Sequence, residues 1–252
     1  MKKVASFFLL ATYAFVSIAA LAQAPPAKAA SEADKQIAAL QAKLMDWPEL
    51  DHYKSENAGL PPPSAGERRV VFFGDSITAA WGRWPGMGPF FPGKAYVNRG
   101  IGGQTTAQMV VRFRQDVVDL HASAVVILAG TNDVAGNTGP MTPEMTEDNF
   151  RSMVEIAKAN GIKVILASIL PAADFPWHSG LQPAAKIRAL NGWLRSYCMS
   201  QGLVYLDYYT PLADAAGGMK PGLSIDGVHP TEKGYAIMTP LAQAAIDKAL
   251  GN

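Results

Sequence analysis

Five short, almost uninterrupted apolar runs constrain this chain more than any other feature. They occupy residues 70–73, 95–98, 124–129, 163–168 and 203–207. Runs that do not alternate with polar residues mark strands covered on both faces, as in a parallel sheet. Amphipathic stretches separate the later runs. Met109, Val110, Phe113, Val117 and Leu120 make one apolar helix face, and Ile187, Leu190, Leu194 and Tyr197 make another, with Cys198 at its edge. Thr142-Pro143 reads as an N-cap followed by Pro at the first helical position, and Asn160-Gly161 as the stop of that helix. A last helix follows Thr231, and Pro240 inside it predicts a kink or a split. Alternating strands and helices predict one three-layer α/β/α sandwich with a mostly parallel sheet. The 252 residues are 49% hydrophobic and 17% charged, enough apolar material for such a core and too much for a disordered chain.

The first residues read as an address. Lys2-Lys3 precede a nearly wholly apolar run from Val4 to Leu21, and Ala20-Leu21-Ala22 fits the small-x-small rule for cleavage. Residues 1–22 are therefore expected to be a secretory signal peptide, cleaved after Ala22, with a periplasmic or secreted product. A run of this length could also just span a bilayer, so a retained anchor is the other reading. No Cys lies near the cleavage point, which argues against a lipid anchor, and no stable membrane anchor is expected. Residues 23–66 are expected to be a linker and a packing helix, the helix carried by Ile37, Leu40, Leu44 and Met45, with Pro61-Pro62-Pro63 before the main domain. Residues 67–252 would form the catalytic domain. Twenty-two Lys and Arg against twenty-one Asp and Glu give a net charge of +1, and cleavage would remove two lysines and no acid, leaving −1. That balance excludes the basic excess of a nucleic-acid binder. A single cysteine, Cys198, excludes an internal disulfide framework and a multi-Cys metal site, and reads as a structural thiol.

In open parallel sheets the chemistry sits past the carboxyl ends of the strands. Ser76 follows the first run directly. There it suits a nucleophile with its own N–H at a helix start, although the same position is a common N-cap serine. Asp226 and His229 lie three apart in a Gly- and Pro-containing loop. Such a turn can bring a carboxylate onto Nδ1 and leave Nε2 to act as a base, or it can be a plain surface turn. Gly103 offers a closely approaching N–H and Asn132 a side-chain amide, two kinds of oxyanion donor. Asp133 reads as a brace for its loop. His52, His121 and His178 lack a partner at similar spacing and read as structural or surface residues.

Taken together and in order, these blocks resemble the SGNH/GDSL hydrolase family of esterases and lipases. Phe73-Gly74-Asp75-Ser76-Ile77-Thr78 resembles its first block, with Ile77 where the family name has Leu. Asn98-Arg99-Gly100-Ile101-Gly102-Gly103-Gln104-Thr105 resembles the second, Gly130-Thr131-Asn132-Asp133 the third, and Asp226-Gly227-Val228-His229-Pro230 the last. The likeness runs from Val70 to Leu250. The Gly-Ile-Gly-Gly-Gln-Thr form looks most like the branch related to platelet-activating-factor acetylhydrolases, which implies short acyl esters, often acetyl. The resemblance implies a flavodoxin-like sandwich of five parallel strands. It implies Ser76 as nucleophile, His229 as base and then acid, Asp226 orienting it, and Ser76, Gly103 and Asn132 as the oxyanion hole. It implies no metal and no organic cofactor. The Gly-x-Ser-x-Gly elbow of the α/β-hydrolase fold is absent.

The substrate is read less directly. Trp81, Trp84, Phe90 and Phe91 follow the nucleophile, and Phe175, Pro176 and Trp177 follow the fourth run. They either line an acyl or sugar pocket, with Trp81 and Trp177 foremost, or cover the sheet edge. Export, the small-acyl likeness and the Trp-rich loops favour a small-molecule or carbohydrate ester, with deacetylation as the reaction. The rival readings are a lysophospholipase or thioesterase on longer chains, an O-acyltransferase to sugars, and a glycan-binding module without turnover. Composition is silent on oligomeric state.

Overall fold

In the computed structural model, which describes residues 31–251, the five runs become the five strands of one parallel sheet. They are β1 (Val70–Gly74), β2 (Tyr96–Gly100), β3 (Ala124–Leu128), β4 (Lys163–Ala167) and β5 (Val204–Leu206), in the order β2-β1-β3-β4-β5. The expected signal segment 1–22 and the start of the linker lie outside the described residues. The helices are α1 (Glu32–Met45), α2 (Lys54–Gly59), α3 (Ser76–Ala80), α4 (Thr106–Phe113, extended by a π-turn over Arg114–Val118), α5 (Thr131–Ala135), α6 (Pro143–Ala159), α7 (Ala184–Gln201), α8 (Tyr209–Leu212) and α9 (Glu232–Leu250). The chain divides within α1 into two compact units, the first ending at Gln41 and the second starting at Ala42. Every strand belongs to the second.

The sheet reverses direction at β1: the chain steps from β1 to β2 on one side, then crosses back to β3 on the other. Right-handed crossovers place the first connection on one face and the later ones on the opposite face. Accordingly α6 packs against α4 on one side and α7 on the other. On the other face α9 lies along β3, β4 and β5, and its Tyr235 hydroxyl donates to Ile77 O of α3 at 2.7 Å. Gly74, Gly100 and Leu128 are paired across β1, β2 and β3, so these strands end level. The loops that follow them share one edge at the switch point of the sheet, where open α/β sheets build their sites.

The caps follow the sequence. The Thr142 side chain accepts from Met145 N–H ahead of Pro143, and Asn160 with Gly161 (φ +71°) ends α6. The Thr231 side chain accepts from Gly234 N–H at the start of α9. Pro240 does not split that helix, which runs unbroken to Leu250; just before it, the Thr239 hydroxyl reaches back one turn and donates to Tyr235 O at 2.8 Å. Cys198 is buried on α7, and desolvation pushes its thiol up to about 12. A thiol held so far from ionisation is a packing group, not a nucleophile.

The stretch from Asp46 to Leu60 is fastened onto the sandwich. Three glutamine amides grip its carbonyls: Gln108 Nε2 donates to Trp47 O (2.7 Å), Gln104 Nε2 to Pro48 O (2.9 Å) and Gln115 Nε2 to Leu50 O (2.7 Å). Tyr53 is buried, donates its hydroxyl to Gly100 O, and carries the guanidinium groups of Arg99 and Arg83 over its ring at 4.6 and 5.2 Å.

Candidate active site

Four chain segments meet at the level ends of β1, β2 and β3. After β1, Asp75 caps α3 by accepting Ile77 N–H at 2.9 Å. Ser76 is therefore the first helical residue rather than the cap, and its hydroxyl is not spent on capping. Its N–H stands where a helix has no internal acceptor. From the far end of the chain, Asp226 folds its loop around its own carboxylate: Oδ1 accepts the N–H groups of Val228 (2.9 Å) and His229 (2.8 Å), while Oδ2 accepts His229 Nδ1–H at 2.7 Å. The Ser224 hydroxyl closes the same loop, donating to His229 O at 2.9 Å. With Nδ1 protonated toward Asp226, Nε2 is the acceptor and takes the Ser76 hydroxyl at 2.9 Å. Desolvation pushes the Asp226 carboxyl up, but the His229 backbone N–H, the imidazole and the Val228 N–H outweigh it and hold the group below its ordinary value.

The loop after β2 brings Gly103, at φ +76°, beside the serine, and a Cβ built on neighbouring Gly102 would lie 3.8 Å from Ser76 Cβ. The loop after β3 brings Asn132. Its Nδ2 donates to Gln104 O at 3.0 Å and stands 3.5 Å from Asp75 Oδ2, too long to occupy its second hydrogen well. Sequence reasoning passed over Asn137. It donates to both candidate donor residues, to Gly103 O at 3.1 Å and to Asn132 Oδ1 at 2.8 Å, and accepts Trp177 Nε1–H at 3.0 Å. Asp133 braces: its carboxylate takes the N–H and hydroxyl of Thr106 at the start of α4 and the Thr146 hydroxyl at 3.3 Å. Burial pushes Asp133 up, and it drives Asp75, wholly buried, to about 6.

Arg112 locks this edge from beneath. Fully buried, it pairs with Asp116 (3.0 Å) and donates to Gly74 O and Arg99 O (2.9 Å each) and to Gln104 Oε1 (2.5 Å). One guanidinium thus ties the last residues of β1 and β2 to the loop that holds Asn132. In the sequence only Asp116, four residues on, hints at this; the other partners are carbonyl oxygens.

The aromatic loops divide. Trp81 is 2% exposed and packs against Phe72, Phe90, Phe91 and Tyr235, so it covers the β1–β2 edge and does not face the serine. This corrects its expected place in a substrate pocket. Trp84 and Trp177, each 44% exposed, flank the imidazole instead, with ring centroids 6.0 and 6.2 Å from that of His229. Trp177 is itself stacked on buried Phe175. His178 sets Nδ1 on Ala135 O at 2.7 Å. No group of three or more His, Cys, Asp or Glu among the described residues is arranged to hold a metal ion.

A serine, histidine and aspartate in hydrogen-bonded line, at the switch edge of a parallel three-layer sandwich and without a Gly-x-Ser-x-Gly elbow, define a class: an acyl hydrolase of the flavodoxin-like kind. The chain belongs to the GDSL-like lipase/acylhydrolase family, whose model matches residues 72–237. The crystal structure of a GDSL-like lipase from Bacteroides thetaiotaomicron VPI-5482 is 45% identical with a TM-score of 0.76, over 80% of this chain and 98% of that one. Esterase TesA of Pseudomonas aeruginosa is 29% identical over 180 residues, 66% of this chain and 81% of TesA. The uncharacterized lipoprotein YqeF of Bacillus subtilis is 38% identical over 82 residues; the match covers 31% of this chain and only 33% of that relative.

Proposed function

We propose that this esterase hydrolyses short acyl esters, acetyl above all, carried on a polar alcohol such as a sugar, through an acyl-enzyme on Ser76. The observation that carries the reading is the unbroken line from Ser76 Oγ to His229 Nε2 (2.9 Å) and from His229 Nδ1 to Asp226 Oδ2 (2.7 Å). Ser76 Oγ attacks the ester carbonyl as His229 Nε2 takes its proton, and Asp226 stabilises the imidazolium. The oxyanion forms against Ser76 N–H, Gly103 N–H and the second amide hydrogen of Asn132. His229 returns the proton to the departing alcohol, and water, activated by the same imidazole, frees the acyl group.

Support for a small acyl group comes from the Gly-Ile-Gly-Gly-Gln-Thr form of the second block. Support for a polar alcohol comes from the two exposed indoles beside His229, set among amide and hydroxyl groups. Export is part of the proposal and rests on Lys2-Lys3 and the apolar run that follows; among the described residues no helix is long and apolar enough to cross a membrane.

The test is hydrolysis of 4-nitrophenyl esters from acetyl to decanoyl by the wild type and Ser76→Ala. Wild type should prefer acetyl, and the variant should lose on the order of 10⁶-fold in kcat. Equal turnover by both folded proteins would remove Ser76 from the chemistry, and an optimum at octanoyl or longer would move the substrate to lipids.

A further inference from the structure

Beside the oxyanion loop lies a cavity of about 870 Å³, a size typical of small-molecule sites. Gly102, Gly103 and Asn137 form its catalytic side, and Trp177 stands at its rim. The opposite wall comes from Ala42, Asp46, Trp47 and Glu49, all ahead of the family-matched region that begins at residue 72. Trp47 is 40% exposed, yet its backbone is held firmly. Gln108 grips its carbonyl, Gln104 grips that of Pro48, and Asp46 accepts the N–H groups of Leu50 (2.8 Å) and Asp51 (3.0 Å). A second indole is thus presented to the cavity on a fixed support.

We infer that this cavity is a sugar subsite, with Trp47 and Trp177 as its two stacking platforms and Trp47 as a specificity-determining residue. The inference rests on the carbohydrate-ester reading above and adds where the sugar sits. Three features select the ligand. Flat indole faces match the C–H faces of a pyranose and hold it without ordering many rotamers. The Thr138 hydroxyl and the Gln108 Nε2 hydrogen not used on Trp47 O offer hydrogen bonds to its hydroxyls. Among the described lining residues the charged groups are the carboxylates of Asp46 and Glu49, which repel a phosphate and accept hydroxyl donors. A lysophospholipid headgroup fits that wall poorly; a neutral polyol fits it well.

The experiment compares kcat/KM on acetylated xylo-oligosaccharides and on 4-nitrophenyl acetate for wild type, Trp47→Ala and Trp47→Phe, each checked for native thermal unfolding. Trp47→Ala should lower the saccharide-to-nitrophenyl ratio of kcat/KM about tenfold, mainly through KM, and Trp47→Phe, which keeps a ring, should recover part of it. If wild type deacetylates the saccharide and Trp47→Ala leaves the ratio unchanged, the subsite is wrong and the carbohydrate reading stands. If wild type turns over 4-nitrophenyl acetate through Ser76 but leaves acetylated saccharides untouched, both fall.

Discussion

Asn137 spends its whole side chain around the proposed oxyanion hole: two hydrogens to Gly103 O and Asn132 Oδ1, and its oxygen to Trp177. By occupying the Asn132 oxygen it fixes which way that amide is turned. Asn132→Ala removes a proposed oxyanion donor outright and should cost about 10²–10³ in kcat. Asn137→Ala only loosens the donors, so a loss of about tenfold in kcat with KM nearly unchanged is expected, close to one neutral hydrogen bond. Steady-state kinetics on 4-nitrophenyl acetate checks the pair, and an Asn137→Ala defect confined to KM would count against the positioning role. Asp75 makes a prediction about pH. Burial raises its carboxyl from 3.8 to about 6, so the folded chain holds this proton more tightly than the unfolded one. Its contribution to stability is complete below the ordinary value and is lost as pH rises through about 6, on the order of 3 kcal/mol. Asp75→Asn keeps an N-cap acceptor without the charge. Its thermal midpoint should gain on the wild type between about pH 4 and about pH 7 and then hold a constant lead; parallel curves throughout would refute the assignment.

The short helix α3 carries Ser76, the proposed nucleophile, and its distance from the sheet is set by what is missing beneath it. A Cβ on Gly100 of β2 would stand 2.1 Å from Ala79 N and 2.6 Å from Thr78 C, backbone atoms that cannot swing aside. Gly100→Ala must therefore lift α3 and move Ser76 from His229. The expected cost is about 1–3 kcal/mol in urea unfolding together with a fall in kcat, whereas Gly59→Ala, whose Cβ meets open space, should match the wild type. A Gly100→Ala protein of native stability and rate would mean that the helix yields freely. Elements like the strands were legible in the sequence because burial on both faces leaves an unbroken apolar run. The four loop blocks were legible because each combines a strand end with a chemically unusual residue. Trp81 and Trp84 were not separable: both are indoles in one loop, and only packing on Phe72 and Tyr235 buries the first. Arg112 and Asn137 stayed hidden because their partners are mostly backbone carbonyls and amides, which no side-chain pattern announces.

At the scale of the molecule, the segment ahead of the sheet is part of the enzyme rather than a lead-in. Residues 46–60 could be read in sequence only as linker, since glutamine amides on carbonyls leave no periodic trace. Yet this segment buries Tyr53 against Gly100, gives Arg99 the side chains of Asn57 (2.8 Å) and Glu56 (3.3 Å), and donates from Asn57 to Asp116 at 2.7 Å. Removing it would leave Arg99 and the amides of Gln104, Gln108 and Gln115 without those partners. It would also reach the site, because the residue that grips Pro48 by its side chain holds Asn132 by its carbonyl. A chain beginning at Glu67 should therefore unfold about 10 °C or more below one beginning at Ala42. Loss of one buried aromatic costs about 3–5 kcal/mol, and each kcal/mol shifts a domain of this size by about 2–4 °C. Its kcat on 4-nitrophenyl acetate should fall as Asn132 loses its fixed support. Matching unfolding midpoints and rates for the two chains would show that the sandwich holds its oxyanion loops unaided, and the segment would then be left with the sugar-facing wall alone.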